Sequence, residues 1–210
     1  MGVAEQWDRI THWCDEHAPM TIRSLRPGLK TDEVLAAEHL SGLTWPQDLR
    51  ELFAVQNGAQ YVDEVTGRYP GGILPMQVLM SADDALARRT QLLEVWTELI
   101  QSDPDLFGAD SFDIGERQPA GSTAWMFLPS FMPFSGLDGY VYFVDTRPGP
   151  QHGCVTEYAH SDTDSHGPKW DSVTTMLAAH ADALESGITV GNFRPAAVDG
   201  ALSWEIVSAR

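Results

Sequence analysis

Residues 125–158 read WMFLPSFMPFSGLDGYVYFVDTRPGPQHGCVTEY, a stretch in which three apolar runs alternate with turn residues. The runs at 125–128, 140–145 and 154–158 are rich in aromatic and β-branched residues, which favour β-strands. Proline and glycine turns bracket these runs, and the last turn contains Arg147-Pro148-Gly149-Pro150. The stretch therefore predicts consecutive strands of an antiparallel meander.

Helical periodicity is found on both sides of this stretch. Apolar residues recur at intervals of three and four from residue 3 to about His17, and this spacing returns four times further along the chain. The longest helix is expected after Ser81, which with the following aspartates resembles a capping box. Helices come first, strands next and a helix last, without strand–helix–strand alternation, so the sequence predicts an α+β fold. The other helix boundaries are predicted at Thr31 and Gly42, at Trp45-Pro46 and Asn57-Gly58, and at Ser172 and Gly187.

Three further segments complete the organisation of the chain. Residues 73–80 are apolar and predict a short pair of strands. Residues 102–123 are acidic and lack a sustained period, which predicts a long irregular loop, the best candidate for an insertion. Residues 188–210 are an extra C-terminal segment with strand character at 202–207. The chain has 210 residues and is 43% hydrophobic, so we predict a single domain over residues 1–210.

The charge balance limits the possible partners. The chain has 13 lysine and arginine residues against 30 aspartate and glutamate residues, a formal net charge of −17. Nucleic acids and anionic membranes are repelled by such a charge at long range, whereas a basic protein surface is attracted. No apolar run approaches the ~20 residues that cross a bilayer, and Glu5 and Asp8 stand where a signal peptide has a basic start. We therefore predict a cytoplasmic protein that binds neither nucleic acid nor membrane.

An ordered set of short motifs runs through most of the chain. A Trp-Pro pair opens the helix at 45–53, which leads into Asn57-Gly58; Leu74-Pro75 precedes the helix start at 81–85. The motif FMPF at 131–134 is followed by a glycine-rich turn, then by a strand that ends in Asp145. In this order the motifs resemble the SUKH superfamily, which includes the fungal regulator of cell-wall glucan synthesis and many bacterial immunity proteins. The resemblance covers roughly residues 7–185, and residues 102–123 and the segment after Gly187 have no counterpart in it.

The resemblance implies both a fold and a function. The fold is a mixed, mostly antiparallel sheet flanked by helices. The function is non-enzymatic binding of another protein, most often a toxin domain, frequently a nuclease, which the immunity protein neutralises. No catalytic residues and no cofactor come with the resemblance. Two alternatives stay open: a regulatory or scaffold protein with a cellular partner, and a metal-dependent enzyme.

Two groups of residues are candidates for partner binding. The carboxylates of residues 102–123 can attract a basic toxin surface and accelerate encounter, although they also fit the solvated face of a loop. Aromatic and acidic residues near the glycine-rich turn are the second candidate surface. The first group consists of Asp103, Asp105, Asp110 and Asp113, and the second of Phe131, Phe134, Asp138 and Tyr140.

Sites for metals and for catalysis have weaker support. Two imidazoles and two carboxylates fall within seven residues, at His160, Asp162, Asp164 and His166. The segment lacks the glycine and glutamate positions of a calcium loop and equally fits a solvated polar turn, so we predict that no metal is required. The sequence has no G-x-S-x-G motif, and we expect Cys14, Cys154 and His180 to be core residues. Trp45, Trp125 and Trp170 are also expected in the core, although tryptophan is common in binding hot spots.

Overall fold

A five-stranded antiparallel sheet lies at the centre of the computed structural model, which describes residues 2–207. Its strands follow one another in chain order from β3 to β7, so the predicted antiparallel meander and the α+β fold are confirmed. Two two-stranded sheets, β1 with β2 and β8 with β9, accompany it. The strands are β1 (Leu25–Pro27), β2 (Gln56–Ala59), β3 (Val78–Leu79), β4 (Phe131–Leu137), β5 (Tyr140–Asp145), β6 (Val155–Ala159), β7 (Pro168–Trp170), β8 (Phe193–Val198) and β9 (Ala201–Ile206).

Helices cover both faces of the central sheet. Side chains alternate between the faces of a strand, so Tyr142 and Val144 pack into one core cluster while Val141 and Phe143 pack into another. This two-sided burial explains why β5 is almost entirely apolar. The helices are α1 (Val3–His17), α2 (Pro19–Ser24), α3 (Thr31–Ser41), α4 (Gln47–Val55), α5 (Ala82–Ser102), α6 (Pro104–Phe107), α7 (Ser111–Glu116) and α8 (Val173–Ser186).

Several helix boundaries agree with the sequence. Helix α1 ends at His17, and the Ser81 hydroxyl accepts a hydrogen bond from the Asp84 amide at the start of α5 (3.1 Å). Ser172 caps α8, and Gly187 ends it with a φ of +66°. These predictions are confirmed because capping depends on local sequence.

Other boundaries differ. The N-cap of α3 is Lys30 rather than Thr31, and Pro46 caps α4 rather than occupying its first turn. Helix α4 ends at Val55, so Asn57-Gly58 does not form its exit but lies in β2. A Cβ on Gly58, whose φ is +88°, would lie 2.5 Å from the Ser81 amide nitrogen. The glycine is therefore required by the close approach of two backbones.

Two segments were predicted wrongly. Residues 125–128 are not a strand: they are apolar because Met126, Phe127 and Leu128 are buried in the second core cluster, and the first long strand of the meander is β4. Residues 102–123 are not an irregular loop, because they contain α6 and α7. The predicted strand at 202–207 is confirmed as β9, which pairs with β8 in a hairpin.

The C-terminal hairpin packs against the N-terminal half of the chain. Leu202 is buried in the first core cluster, and its amide donates to the Thr21 hydroxyl (2.8 Å). The Trp204 indole N–H donates to the Gly72 carbonyl (2.9 Å). Across residues 2–207, no helix combines the length and the apolar character needed to cross a membrane.

Candidate protein-binding surface

The four aspartates of the first candidate group lie on the segment that carries α6 and α7, and all four are exposed. We call them the acidic face. Asp103 is the N-cap of α6, and its carboxylate accepts a hydrogen bond from the Leu106 amide (3.1 Å). The other members of the acidic face are Asp105, Asp110 and Asp113.

Large apolar side chains are exposed beside these carboxylates. Leu106 is 72% exposed, Ile114 47% and Trp125 63%. All three line one groove of about 480 Å³, which we call the Trp125 groove. Trp96 and Phe107 also line it, and their rings meet edge to face at 6.3 Å. The expectation that Trp125 is a core residue is therefore wrong, and an apolar groove lies within the acidic segment.

A buried ion pair attaches this segment to the central sheet. Asp145, at the end of β5, and Arg147 are both 1% exposed, and their charged groups lie 2.7 Å apart. The Arg147 guanidinium also donates to the carbonyls of Gly115 (2.9 Å) and Ser122 (2.6 Å), while the Asp145 carboxylate accepts from the Gly121 amide (2.8 Å). Residues 115–122 are thus held at a fixed position, which in turn positions α7.

A second buried carboxylate holds the end of the same segment. One Asp164 oxygen accepts a hydrogen bond from the Ala124 amide (2.6 Å) and the other from the Trp125 amide (2.7 Å). Desolvation raises the pKa of Asp164, and these backbone hydrogen bonds act in the opposite direction. Asp164 is therefore committed to the backbone beside the Trp125 groove.

The structure does not bring the four candidate metal ligands together. His160, Asp162 and His166 are exposed, whereas Asp164 is buried. The His166 and Asp162 side chains lie 4.0 Å apart at the surface. Within residues 2–207, no three histidine, cysteine, aspartate or glutamate side chains are grouped so that they could hold a metal ion. The prediction of a solvated polar turn is wrong for Asp164, because its carboxylate is buried and accepts hydrogen bonds from two backbone amides.

The second candidate surface is divided between core and exterior. Phe131 and Phe134 are fully buried, in different core clusters, so their assignment to a surface is wrong. They are buried because β4 has helices on both of its faces. Asp138 and Tyr140 are exposed, and with Ile206 of the C-terminal hairpin they border a separate groove of about 440 Å³.

Two charged groups in that separate groove, those of Lys169 and Glu157, are paired with each other. Lys169 forms an ion pair with Glu157, and its ammonium lies 5.4 Å from the centroid of the Tyr142 ring. Desolvation, with a smaller contribution from Glu157, raises the pKa of the Tyr142 hydroxyl. The phenol therefore stays neutral, and the lysine is held by a carboxylate.

Three buried titratable side chains, His180, Cys14 and Cys154, are neutral near pH 7. Desolvation lowers the pKa of His180 to about 4 and raises the pKa of the Cys14 thiol to about 12 and of the Cys154 thiol to about 11. A protonated thiol is a poor nucleophile. The expectation that these three residues belong to the core is confirmed by their burial. Leu106, Ile114 and Arg147 were not singled out from the sequence, because exposed apolar residues and buried cations carry no local signal.

Comparison with known proteins gives two findings. The model of the SMI1 / KNR4 family (SUKH-1) matches residues 28–179, a range that includes the Trp125 groove and ends inside α8. A glucan synthesis regulatory protein from Neurospora crassa is 27% identical over 82 residues. Those residues are 39% of this chain and 14% of that protein, so the similarity spans about a seventh of the relative. The C-terminal hairpin lies outside the range of the family model.

Proposed function

The chain belongs to the SMI1/KNR4 family (SUKH-1), which includes immunity proteins and regulators, and we propose that it is a non-enzymatic immunity protein. It binds a toxin domain of the nuclease type in the cytoplasm and blocks that domain's contact with nucleic acid. The complete burial of both thiols and of His180 keeps these groups from contact with a substrate, which supports a binding role rather than a catalytic one.

One observation carries the proposal: two exposed carboxylates of the acidic face, Asp105 and Asp113, directly precede Leu106 and Ile114, which line the Trp125 groove. Nucleases bind a polyanion and therefore present basic surfaces, which a protein of net charge −17 attracts. Charge raises the association rate more than it raises affinity. Affinity comes from apolar side chains that lose water at the centre of an interface. The exposed Leu106, Ile114 and Trp125 supply such a centre.

A regulatory protein with a cellular partner is the second candidate. The Neurospora crassa relative favours it, because that protein is a glucan synthesis regulatory protein. A regulator uses the same surface, but its partner keeps its own activity or has it modulated rather than abolished.

The test is to mix the purified protein with the product of the neighbouring gene. We expect a one-to-one complex and complete loss of nuclease activity at stoichiometric concentrations. Binding without loss of activity would favour the regulatory function, and absence of a complex would contradict the immunity function. An acidic protein of similar charge and unrelated fold serves as the control, because it should neither bind tightly nor inhibit.

A further inference from the structure

Trp125 has a backbone conformation that a bulky residue rarely adopts. Its φ is +60°, in the left-handed region where the Cβ of an L-residue crowds the backbone. Glycine is the residue expected at such a position. Tryptophan nevertheless occupies this position in spite of the strain.

Burial does not explain the presence of a tryptophan at this position. The next three residues, Met126 to Leu128, are buried, whereas Trp125 is 63% exposed. The left-handed turn directs the largest side chain of the run outward while its neighbours enter the core. Asp164 stabilises this turn, because its two carboxylate oxygens accept the amides of Ala124 and Trp125. The indole is therefore presented from a backbone that is fixed before any partner arrives.

The shape of the Trp125 groove limits what can occupy it. Its lining comes from α5, from α6 and α7, and from residues 118 and 123–126, and none of these is a strand with a free edge. Pairing of an added β-strand is therefore not available at this groove. Two other modes fit an apolar groove: a proline-rich segment that docks between aromatic rings, and an amphipathic helix that inserts its apolar face. The exposed aliphatic side chains of Leu106 and Ile114 in the lining favour the amphipathic helix. The carboxylates of the acidic face complement lysine or arginine on the flanks of such a helix.

We propose that Trp125 is the anchor residue of this surface and that the Trp125 groove binds a basic amphipathic helix of the partner. The inference rests on the proposed function, since it identifies which part of a protein partner the surface recognises. Asp164 is a positioning residue, because it touches the Trp125 backbone and not the partner.

The experiment uses a synthetic Lys/Leu peptide of about 18 residues whose leucines fall on one helical face. Trp125→Gly removes the anchor and suits the backbone, so the variant should melt at or above the parent temperature. We expect its dissociation constant for the peptide to rise at least about tenfold. Tyr61→Ser is the matched control, because Tyr61 is an exposed aromatic residue (58%) outside the groove. The affinity of this variant for the peptide should stay within about twofold of the parent.

The outcomes separate this inference from the proposed function. Unchanged affinity in Trp125→Gly, together with weaker binding after Asp→Asn changes in the acidic face, would overturn the anchor and leave the acidic interface standing. Failure of the parent protein to bind the Lys/Leu peptide, or a preference for an extended proline-rich peptide of equal charge, would overturn the helix as the occupant. A shift of the Trp125 indole N–H resonance on addition of the peptide, lost in Asp164→Ala, would support the positioning role; an indole shift that persists unchanged in that variant would overturn it.

Discussion

His180 lies in the core between two indole rings. Its ring centroid is 5.6 Å from that of Trp170 and 5.6 Å from that of Trp204. Nδ1 is 2.7 Å from the Met176 carbonyl oxygen, which can only accept, so Nδ1 carries the proton. Nε2 has no hydrogen-bond partner within the described residues, and protonating it would bury an uncompensated charge. Desolvation therefore lowers the pKa of His180 to about 4.

This shift makes stability depend on pH. The pKa of His180 is near 6.5 when the chain is unfolded and about 4 when it is folded, so between these values the unfolded state binds more protons. The free energy of unfolding should fall as the pH drops through this window, by up to about 3 kcal/mol from this group. Urea unfolding of the parent and of His180→Phe at about pH 7 and about pH 4.5 isolates the contribution, because a constant effect of the substitution cancels.

The exposed His12 provides the control for this experiment. His12→Gln removes an imidazole from the surface of α1 and serves as the comparison for the loss of a histidine outside the core. An equal fall in stability for the parent and for His180→Phe would show that His180 is not the group responsible. Asp164 changes the free energy of unfolding with pH in the opposite direction, because desolvation raises its pKa. Asp164 is present in all three proteins, so its contribution is common to them.

Helix α4 shows how an element of the fold is stabilised mainly by packing. Trp45, just before its N-cap, and Leu49 on its inner face are 1% and 0% exposed. The Trp45 ring lies 5.2 Å from that of Phe53, and its indole N–H donates to the Ser41 hydroxyl (3.0 Å). These side chains fill the first core cluster together with residues of α1 and α8.

We expect Trp45→Ala and Leu49→Ala each to destabilise the protein by about 3 kcal/mol, because each leaves a cavity in a close-packed cluster. For a chain of this size the melting temperature should fall by roughly 6–12 °C. Gln47→Ala changes an exposed residue of the same helix and should stay within about 0.5 kcal/mol of the parent. Melting temperatures within a degree of the parent for both core variants would show that the packing of this helix contributes little.

Elements with local signals could be predicted from the sequence, and elements fixed by distant contacts could not. Ser81, Ser172 and Gly187 mark helix ends through hydrogen bonds and backbone angles that involve neighbouring residues. The short helices α6 and α7 show no periodicity, and α7 is positioned by the buried Asp145–Arg147 pair from another part of the chain.

The C-terminal hairpin has a local signal in its sequence. Asp199 and Gly200 connect β8 to β9 with φ values of +51° and +80°, as an Asp-Gly pair does in a tight hairpin turn. Asp138 and Gly139 do the same between β4 and β5. For the candidate site, the expectation that the aspartates of residues 102–123 lie at the surface is confirmed by their exposure. The exposure of Trp125 depends on Asp164, 39 residues away, and has no counterpart in local sequence.

At the scale of the whole molecule, the net charge of −17 determines how a partner approaches. Attraction between opposite charges acts over the screening length, which shortens from about 14 Å to about 6 Å between roughly 50 and 300 mM salt. A charge that faces the partner therefore accelerates association at low salt and much less at high salt. A charge elsewhere on the surface contributes only through the overall field.

A pair of variants separates these two effects. Changing Asp103, Asp105, Asp110 and Asp113 to Asn removes four negative charges from the acidic face, and Asn at position 103 keeps the N-cap acceptor of α6. The matched control removes the same number of charges from exposed aspartates on other elements. These are Asp8, Asp15, Asp32 and Asp171.

The most direct test of a basic partner at the acidic face is the association rate of these two variants with the partner protein at roughly 50 and 300 mM salt. We predict that the acidic-face variant associates several-fold more slowly at low salt and close to the parent rate at high salt, while dissociation changes less. The control should retain most of the parent's rate and salt dependence. Equal rates for the parent and the acidic-face variant at both salt concentrations, or equal losses in the two variants, would contradict the account.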